Sequence, residues 1–195
     1  MKYFALSLFI IACSLIGFSQ QAADTSIYNK EFNWSIVIPA GFSIMNVDSV
    51  NAMHQRGAAL IEKSYNEKIE DKTTNIFMFK SNKSNYFESC YQPFDTLTDG
   101  NFDESVQLIG DVLYQSFTSS MKNIAIDTSY GIEIISGLAF RKLNMKVLYP
   151  NGLVFHVNMF CRLFEKKELA INIYYVDEIK GYQMLNALRN SKFKL

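Results

Sequence analysis

Apolar and polar positions alternate most clearly between Gly131 and Val176. Leu143, Met145, Val147 and Tyr149 alternate with Lys142, Asn144 and Lys146. That period of two is what a strand with one buried face requires. Leu153, Phe155, Val157, Met159, Cys161 and Leu163 continue the pattern, and the interleaved set carries His156, Asn158 and Arg162 among Val154, Phe160 and Phe164. Leu169, Ile171, Ile173 and Tyr175 then alternate with Asn172 and Tyr174. Pro150-Asn151-Gly152 joins the first two runs, because Asn and Gly accept the positive φ of a tight hairpin. The charged run Glu165 to Glu168 joins the second and third. The pattern predicts three antiparallel strands with one apolar face and one mixed face.

Earlier runs are shorter. Trp34 to Ile38 reads as a strand ended by Pro39-Ala40-Gly41. Thr73 to Lys80 reads as another, and "NYFESCYQPF" as a third that Pro93 stops. Three stretches change to helical spacing. Asp48 caps the first, which runs to about Tyr65 with Val50, Met53, Gly57, Leu60 and Ile61 on one side. Phe102, Val106, Ile109, Leu113 and Phe117 stripe the second, and Asn101 with Glu104 forms a capping-box start. Asp177 caps the third, which runs to about Asn190 and turns Ile179, Tyr182, Leu185 and Leu188 to the core. The fold class is therefore α+β: a mostly antiparallel sheet of about five to seven strands packed with three helices.

Lys2 and an uncharged, mostly apolar run to Phe18 precede all of this. Gly17 and Ser19 sit where a signal peptidase wants small residues, so residues 1–19 read as a secretory signal cut before Gln20. Residues 20–30 are a flexible lead-in, and 31–195 form one domain. The rival reading uses "IIAC", Ile10 to Cys13, as a lipoprotein box that anchors the chain through Cys13. Both readings send the protein out of the cytoplasm, to the periplasm or beyond. Neither leaves a transmembrane span in the mature chain, since the apolar run is short for one.

The order of elements resembles the PsbP/DcrB-like α/β sandwich. The matching pieces are "WSIVIPAGF", the long hairpin around "YPNG" and the closing helix ending "LRNSKF". The chain is also similar to small secreted bacterial proteins of that kind with no assigned function, in which "PFD…DGNFDES" leads into a helix. The resemblance implies the fold and an accessory or binding role; photosynthetic members attach to a membrane complex. It assigns no functional residue.

Composition narrows the chemistry. Lys+Arg and Asp+Glu are equal at 19 each. There is thus no basic excess to neutralise phosphates, and nucleic acid is excluded as the expected partner. No Gly-x-Ser-x-Gly elbow, His-Glu-x-x-His, Walker loop or dinucleotide fingerprint occurs. No residue is assigned to catalysis, to a cofactor or to a metal. His54 flanks the apolar stripe of the first helix, a structural position. His156, Asn158, Arg162, Asn144, Lys146, Asn172 and Tyr174 form the candidate binding face on the meander. After cleavage two cysteines remain, Cys90 on a more polar strand face and Cys161 on an apolar one, the candidate disulfide of an oxidising compartment.

Asp95 to Val106 fits a calcium loop at Asp99, Gly100 and Asp103. It fails where Leu97 and Val106 replace ligating oxygens, so the acidic cluster reads as a helix start. The first expectation is an exported cell-envelope binding or accessory module for an envelope protein or a small ligand. The alternatives are an envelope hydrolase using His156 and a structural lipoprotein anchored through Cys13.

Overall fold

The structure, a computed structural model, describes residues 25–46, 50 and 72–194. The leader, Cys13, His54 and, apart from Val50, the helix expected from Asp48 to Tyr65 lie outside the described residues.

The described chain runs β1 (Thr25–Asn29), β2 (Trp34–Ile38), β3 (Ser43–Ile44), β4 (Thr74–Asn82), β5 (Asn85–Pro93) and α1 (Phe102–Ser120). It continues as β6 (Ala125–Ile135), β7 (Leu138–Leu148), β8 (Val154–Phe164), β9 (Lys167–Tyr175), α2 (Glu178–Asn190) and β10 (Lys192–Phe193). A seven-stranded sheet has the order β3-β4-β5-β9-β8-β7-β6, and a three-stranded sheet the order β1-β2-β10. Every pairing is antiparallel.

Both helices begin where a side chain can satisfy the free amides of the first turn. Asn101 accepts from the Asp103 and Glu104 amides at 2.8 and 3.3 Å. Asp177 accepts from those of Ile179 and Lys180 at 2.9 and 3.1 Å. The hairpin at Pro150 closes as its residues demand, with Gly152 at φ +82 and the Tyr149 amide donating to the Leu153 carbonyl at 2.9 Å.

The large sheet is covered on both faces, contrary to the expected single apolar face. On one, the β2 face, Trp34, Ile36 and Ile38 pack onto Phe79, Phe87, Phe140, Phe160 and Ile171, with Met184 and Leu188 of α2 completing the core. Trp34 stacks on Phe193 at 5.2 Å, so the chain end is locked into this layer. On the other, the α1 face, Val106 meets Leu143, Met159 and Cys161, while Leu113 and Phe117 reach Met145, Val147 and Val157. A strand buried on both sides carries apolar residues at both parities, which is why Val154, Phe160 and Phe164 interrupt the polar set of β8.

Other expectations change in detail. The meander has four strands, because β6 precedes the three foreseen and pairs with β7 along its whole length. Thr25–Asn29, within the supposed lead-in, pairs with β2 as β1. The β8–β9 turn is only Glu165-Lys166, since Phe164 already pairs with Lys167. On α2 the buried residues are Gly181, Met184 and Leu188, and Ile179 and Tyr182 are exposed. The close approach to Tyr175 selects the Gly181 side, because a Cβ there would lie 2.4 Å from the Tyr175 ring. Two helices are described, and the seven-stranded sheet is at the upper end of the expected count.

Candidate functional site

Cross-strand partners share a face, so the register reads directly as rows of side chains. On the β2 face one row runs Asp127, Lys146, His156, Tyr175 across β6, β7, β8 and β9. The next runs Ser129, Asn144, Asn158, Ile173, and the third Gly131, Lys142, Phe160, Ile171. Toward β5 these rows disappear under β2 and α2. Toward β6 they stay open: Asp127, Ser129, Gly131 and Lys146 are exposed, and Asn144 and Lys142 half-buried. The outcome is a polar strip about three strands, or ~14 Å, wide, with α2 along its buried border.

Each end of the strip is a cluster of polar and charged groups that includes α2. At one end Glu133 accepts from Lys142 Nζ at 2.7 Å and from Arg189 Nε at 2.5 Å. Burial pushes the Glu133 carboxyl up, but the hydrogen bonds from Arg189 and Lys142 outweigh it and hold the group below its ordinary value. At the other end His156 Nε2 lies 3.0 Å from Glu178 Oε1, and its ring stacks on Tyr175 at 4.5 Å and 3°. Burial lowers the imidazole below its ordinary value; Glu178 pulls it up and Lys146 pushes it down. The ring is therefore neutral at pH 7. Between the ends Asn144 donates to Ser129 Oγ at 3.3 Å, and burial raises the Tyr175 phenol while the neighbouring Asn158 amide offsets part of that rise.

The structure thus gathers four of the expected face residues, His156, Asn158, Asn144 and Lys146. The other three lie elsewhere. Asn172 pairs with Met159, and Tyr174 with Val157, so both sit on the α1 face. β9 presents Ile171, Ile173 and Tyr175 beside the polar set of β8, a parity that hydrophobic alternation does not reveal when both faces are covered. Arg162 is on the right face but six residues from His156, ~20 Å along the strand. Its Nη1 donates to the Ala139 carbonyl at 2.7 Å, with the guanidinium over Phe164. Asp127, Ser129, Glu133, Glu178 and Arg189 were missed. Those on β6 were legible as the polar half of a period-two run against Ile126, Thr128, Tyr130, Ile132 and Ile134.

The cysteines are not bridged. Cys90 and Cys161 both pair with Ala170, from opposite sides, and so share the α1 face rather than opposite ones. Two strand spacings separate them by ~10 Å, beyond the Cα distance a disulfide spans. The acidic loop is engaged locally: Asp99 Oδ2 accepts from the Asp95 amide at 2.7 Å, and Asp95 Oδ2 meets Lys166 Nζ at 2.6 Å. Asp103, in the first turn of α1, takes a two-pronged contact from Arg141 at 2.5 and 2.9 Å. A cleft of about 420 Å³ between α2 and β2 is lined by Val37, Pro39, Tyr182, Gln183 and Asn186, away from His156. No described helix is long and apolar enough to cross a membrane.

No family model and no curated protein sequence matches the chain. Solved structures do. The solution structure of cyanobacterial PsbP (CyanoP) from Synechocystis sp. PCC 6803 superposes with a TM-score of 0.54 at 9% identity, covering 87% of this chain and 92% of that one. The fold is a PsbP-like α/β sandwich. Mog1 structures also match: a Mog1 variant at TM-score 0.40 and 11% identity, and the Ran-binding protein Mog1p of Saccharomyces cerevisiae at 0.41 and 12%. Each covers 87% of this chain and is itself covered to 95%. Within the PsbP-like fold, the strip occupies the part of the large sheet that the small sheet leaves bare.

Proposed function

We propose that the protein is an exported, non-catalytic binding or accessory module of the cell envelope that holds a polar partner on the strip. The observation that carries this reading is the open face itself. Asp127, Ser129, Asn144 and Lys146 present carboxylate, hydroxyl, amide and ammonium groups in adjacent rows over a rigid sheet. Groups of both signs and neutral donors favour a partner with a mixed hydrogen-bonding surface over a highly charged one. Side chains held on strands lose little freedom on contact, which favours recognition.

Binding is preferred to hydrolysis because of what surrounds His156. The ring is only 7% exposed, lies flat on Tyr175 and turns Nε2 to Glu178. Its row neighbours are Lys146 and Tyr175, and neither is a serine or cysteine that the ring could activate. Export rests on residues 1–19, and the lipid-anchored form through Cys13 is the alternative.

The test is capture from envelope extract by the immobilised protein, beside a double variant Asn144→Ala, Lys146→Ala. Both residues are outside the core clusters, so the variant folds. Expected is a partner retained by the wild type and lost, about tenfold or more, by the variant. Equal capture by both chains would remove the strip from the proposal. Intact mass of the exported chain decides between Gln20 and lipidated Cys13 as its first residue.

A further inference from the structure

The large sheet ends very differently on its two sides. One edge is β3, only two residues long. The other is β6, eleven residues long and, among the described residues, paired on one side only. Long bare edges are normally blunted by Pro, Lys, bulges or cover. β6 has no Pro and no Lys, and its register with β7 is unbroken, unlike the bulged β4–β5 pair. Tyr130, Ile132 and Ile134 on it are 47, 61 and 63% exposed.

We infer that β6 pairs antiparallel with β6 of a second copy about a two-fold axis through Gly131, joining the two large sheets into one. The backbone determines which residues can take part. Ser136 and Gly137, at φ +53 and +80, make a two-residue hairpin turn of the primed type. Such a turn is closed by hydrogen bonds between its flanking residues, Ile135 and Leu138. Counting back, the odd-numbered residues of β6 bond to β7, and Thr128, Tyr130, Ile132 and Ile134 aim N–H and C=O outward. A symmetric pair must match these even positions with one another, so the axis passes through a residue such as 130, 131 or 132.

Side chains choose among them. An axis at Tyr130 sets Asp127 against Glu133, like charges directly opposite. An axis at Ile132 shortens the ladder, because Thr128 then falls opposite Ser136 of the hairpin turn and loses its partner strand. An axis at Gly131 sets Tyr130 against Ile132 and Thr128 against Ile134 on the α1 face, each twice. On the β2 face it sets Ser129 against Glu133, with Asp127 opposite Ile135 only at the ends of the ladder. The exposed isoleucines are then covered by aromatic and β-branched partners, and about eight backbone hydrogen bonds form.

Gly131 itself supports this axis. Glycine weakens a strand interior unless another backbone comes close, and none of the described residues lies within 4 Å of a Cβ built there. At the axis two Gly131 residues face each other as a non-hydrogen-bonded pair, the closest approach an antiparallel ladder has. The inference does not depend on what the strip binds, although the two strips become continuous across the axis.

Two measurements test it. Light scattering of the purified protein after size exclusion should give twice the monomer mass at high concentration. Ile132→Lys, which adds a charge at an exposed position, should weaken association about tenfold or more with an unchanged circular dichroism spectrum. Gly131→Cys should form a disulfide between two copies under mild oxidation, while Ser129→Cys, four positions from its own symmetry mate, should not. A monomer at every concentration overturns the inference and leaves the edge to a strand from a different protein. A dimer that survives Ile132→Lys, or links through Ser129→Cys, overturns the β6 axis. Capture through Asn144 and Lys146 is read separately and can fail or hold in either case.

Discussion

Glu168 begins β9 with a carboxylate that is 3% exposed. Gln92 donates to Oε2 at 2.8 Å, Oε1 has no hydrogen-bond partner among the described residues, and the weak Cys161 thiol is the carboxyl's other donor. Burial raises the carboxyl pKa, and the donors offset only part of that. A raised folded-state value stabilises the fold below the unfolded carboxylate value and loses that contribution as pH rises through the folded value. At neutral pH the ionised group is therefore a cost. Glu168→Gln keeps the shape and an acceptor for Gln92 without the charge. It should stabilise the protein by about 1 kcal/mol at pH 7, and the gain should vanish near pH 4. Urea denaturation of both chains at the two pH values checks it; a variant less stable at pH 7 would show the carboxylate to be well paired.

At the scale of elements, α2 depends on one missing methyl. Gly181 rests on the Tyr175 ring, which also stacks on His156 at 4.5 Å. Gly181→Ala gains about 1 kcal/mol of helix propensity but drives a Cβ to 2.4–2.6 Å from ring atoms that have nowhere to go. Overpacking of that kind costs about 1–3 kcal/mol, so a net loss is expected in thermal denaturation. Gly110→Ala is the contrast: its nearest neighbour is the Tyr130 hydroxyl, the far end of a half-exposed side chain that can swing away. It should cost clearly less. These two glycines also mark the limit of reading the sequence. Caps are local chemistry, so Asn101 and Asp177 located both helix starts. The α1 stripe was legible because its apolar residues are large. The buried side of α2 was not, because a glycine that permits close approach has no hydrophobic signature, and Ile179 and Tyr182 outweigh it in any periodicity. The site shows the same divide. Asn144, Lys146, His156 and Asn158 were found by alternation within two adjoining strands. Asn172 and Tyr174 were misplaced because their face depends on register between strands, which a sheet covered on both sides leaves unmarked.

The molecule as a whole keeps its two described cysteines in the middle of the large sheet. Cys90 and Cys161 flank β9, the central strand of the order, and both are buried on the α1 face. Reaching either one requires prising apart the layers that hold the fold together, so their exposure belongs to the most global opening. Burial also raises the Cys161 thiol well above its ordinary value, with Glu168 and Cys90 adding to the effect, which leaves little of the reactive thiolate. Access and protonation thus act in the same direction. The folded protein should react with a chromogenic disulfide reagent only at the rate at which it unfolds globally. That rate should climb with denaturant along the unfolding limb of the folding kinetics. In full denaturant two thiols should titrate if the leader has been removed, and a third if Cys13 is retained with a free thiol. Mass spectrometry of the unfolded, unreduced chain should show no loss of two hydrogens, because the ~10 Å between the Cα atoms excludes a bridge without moving a strand. Fast labelling of one native thiol would mean that α1 lifts from the sheet on its own. A mass two daltons low would mean that the strand order around β9 is wrong.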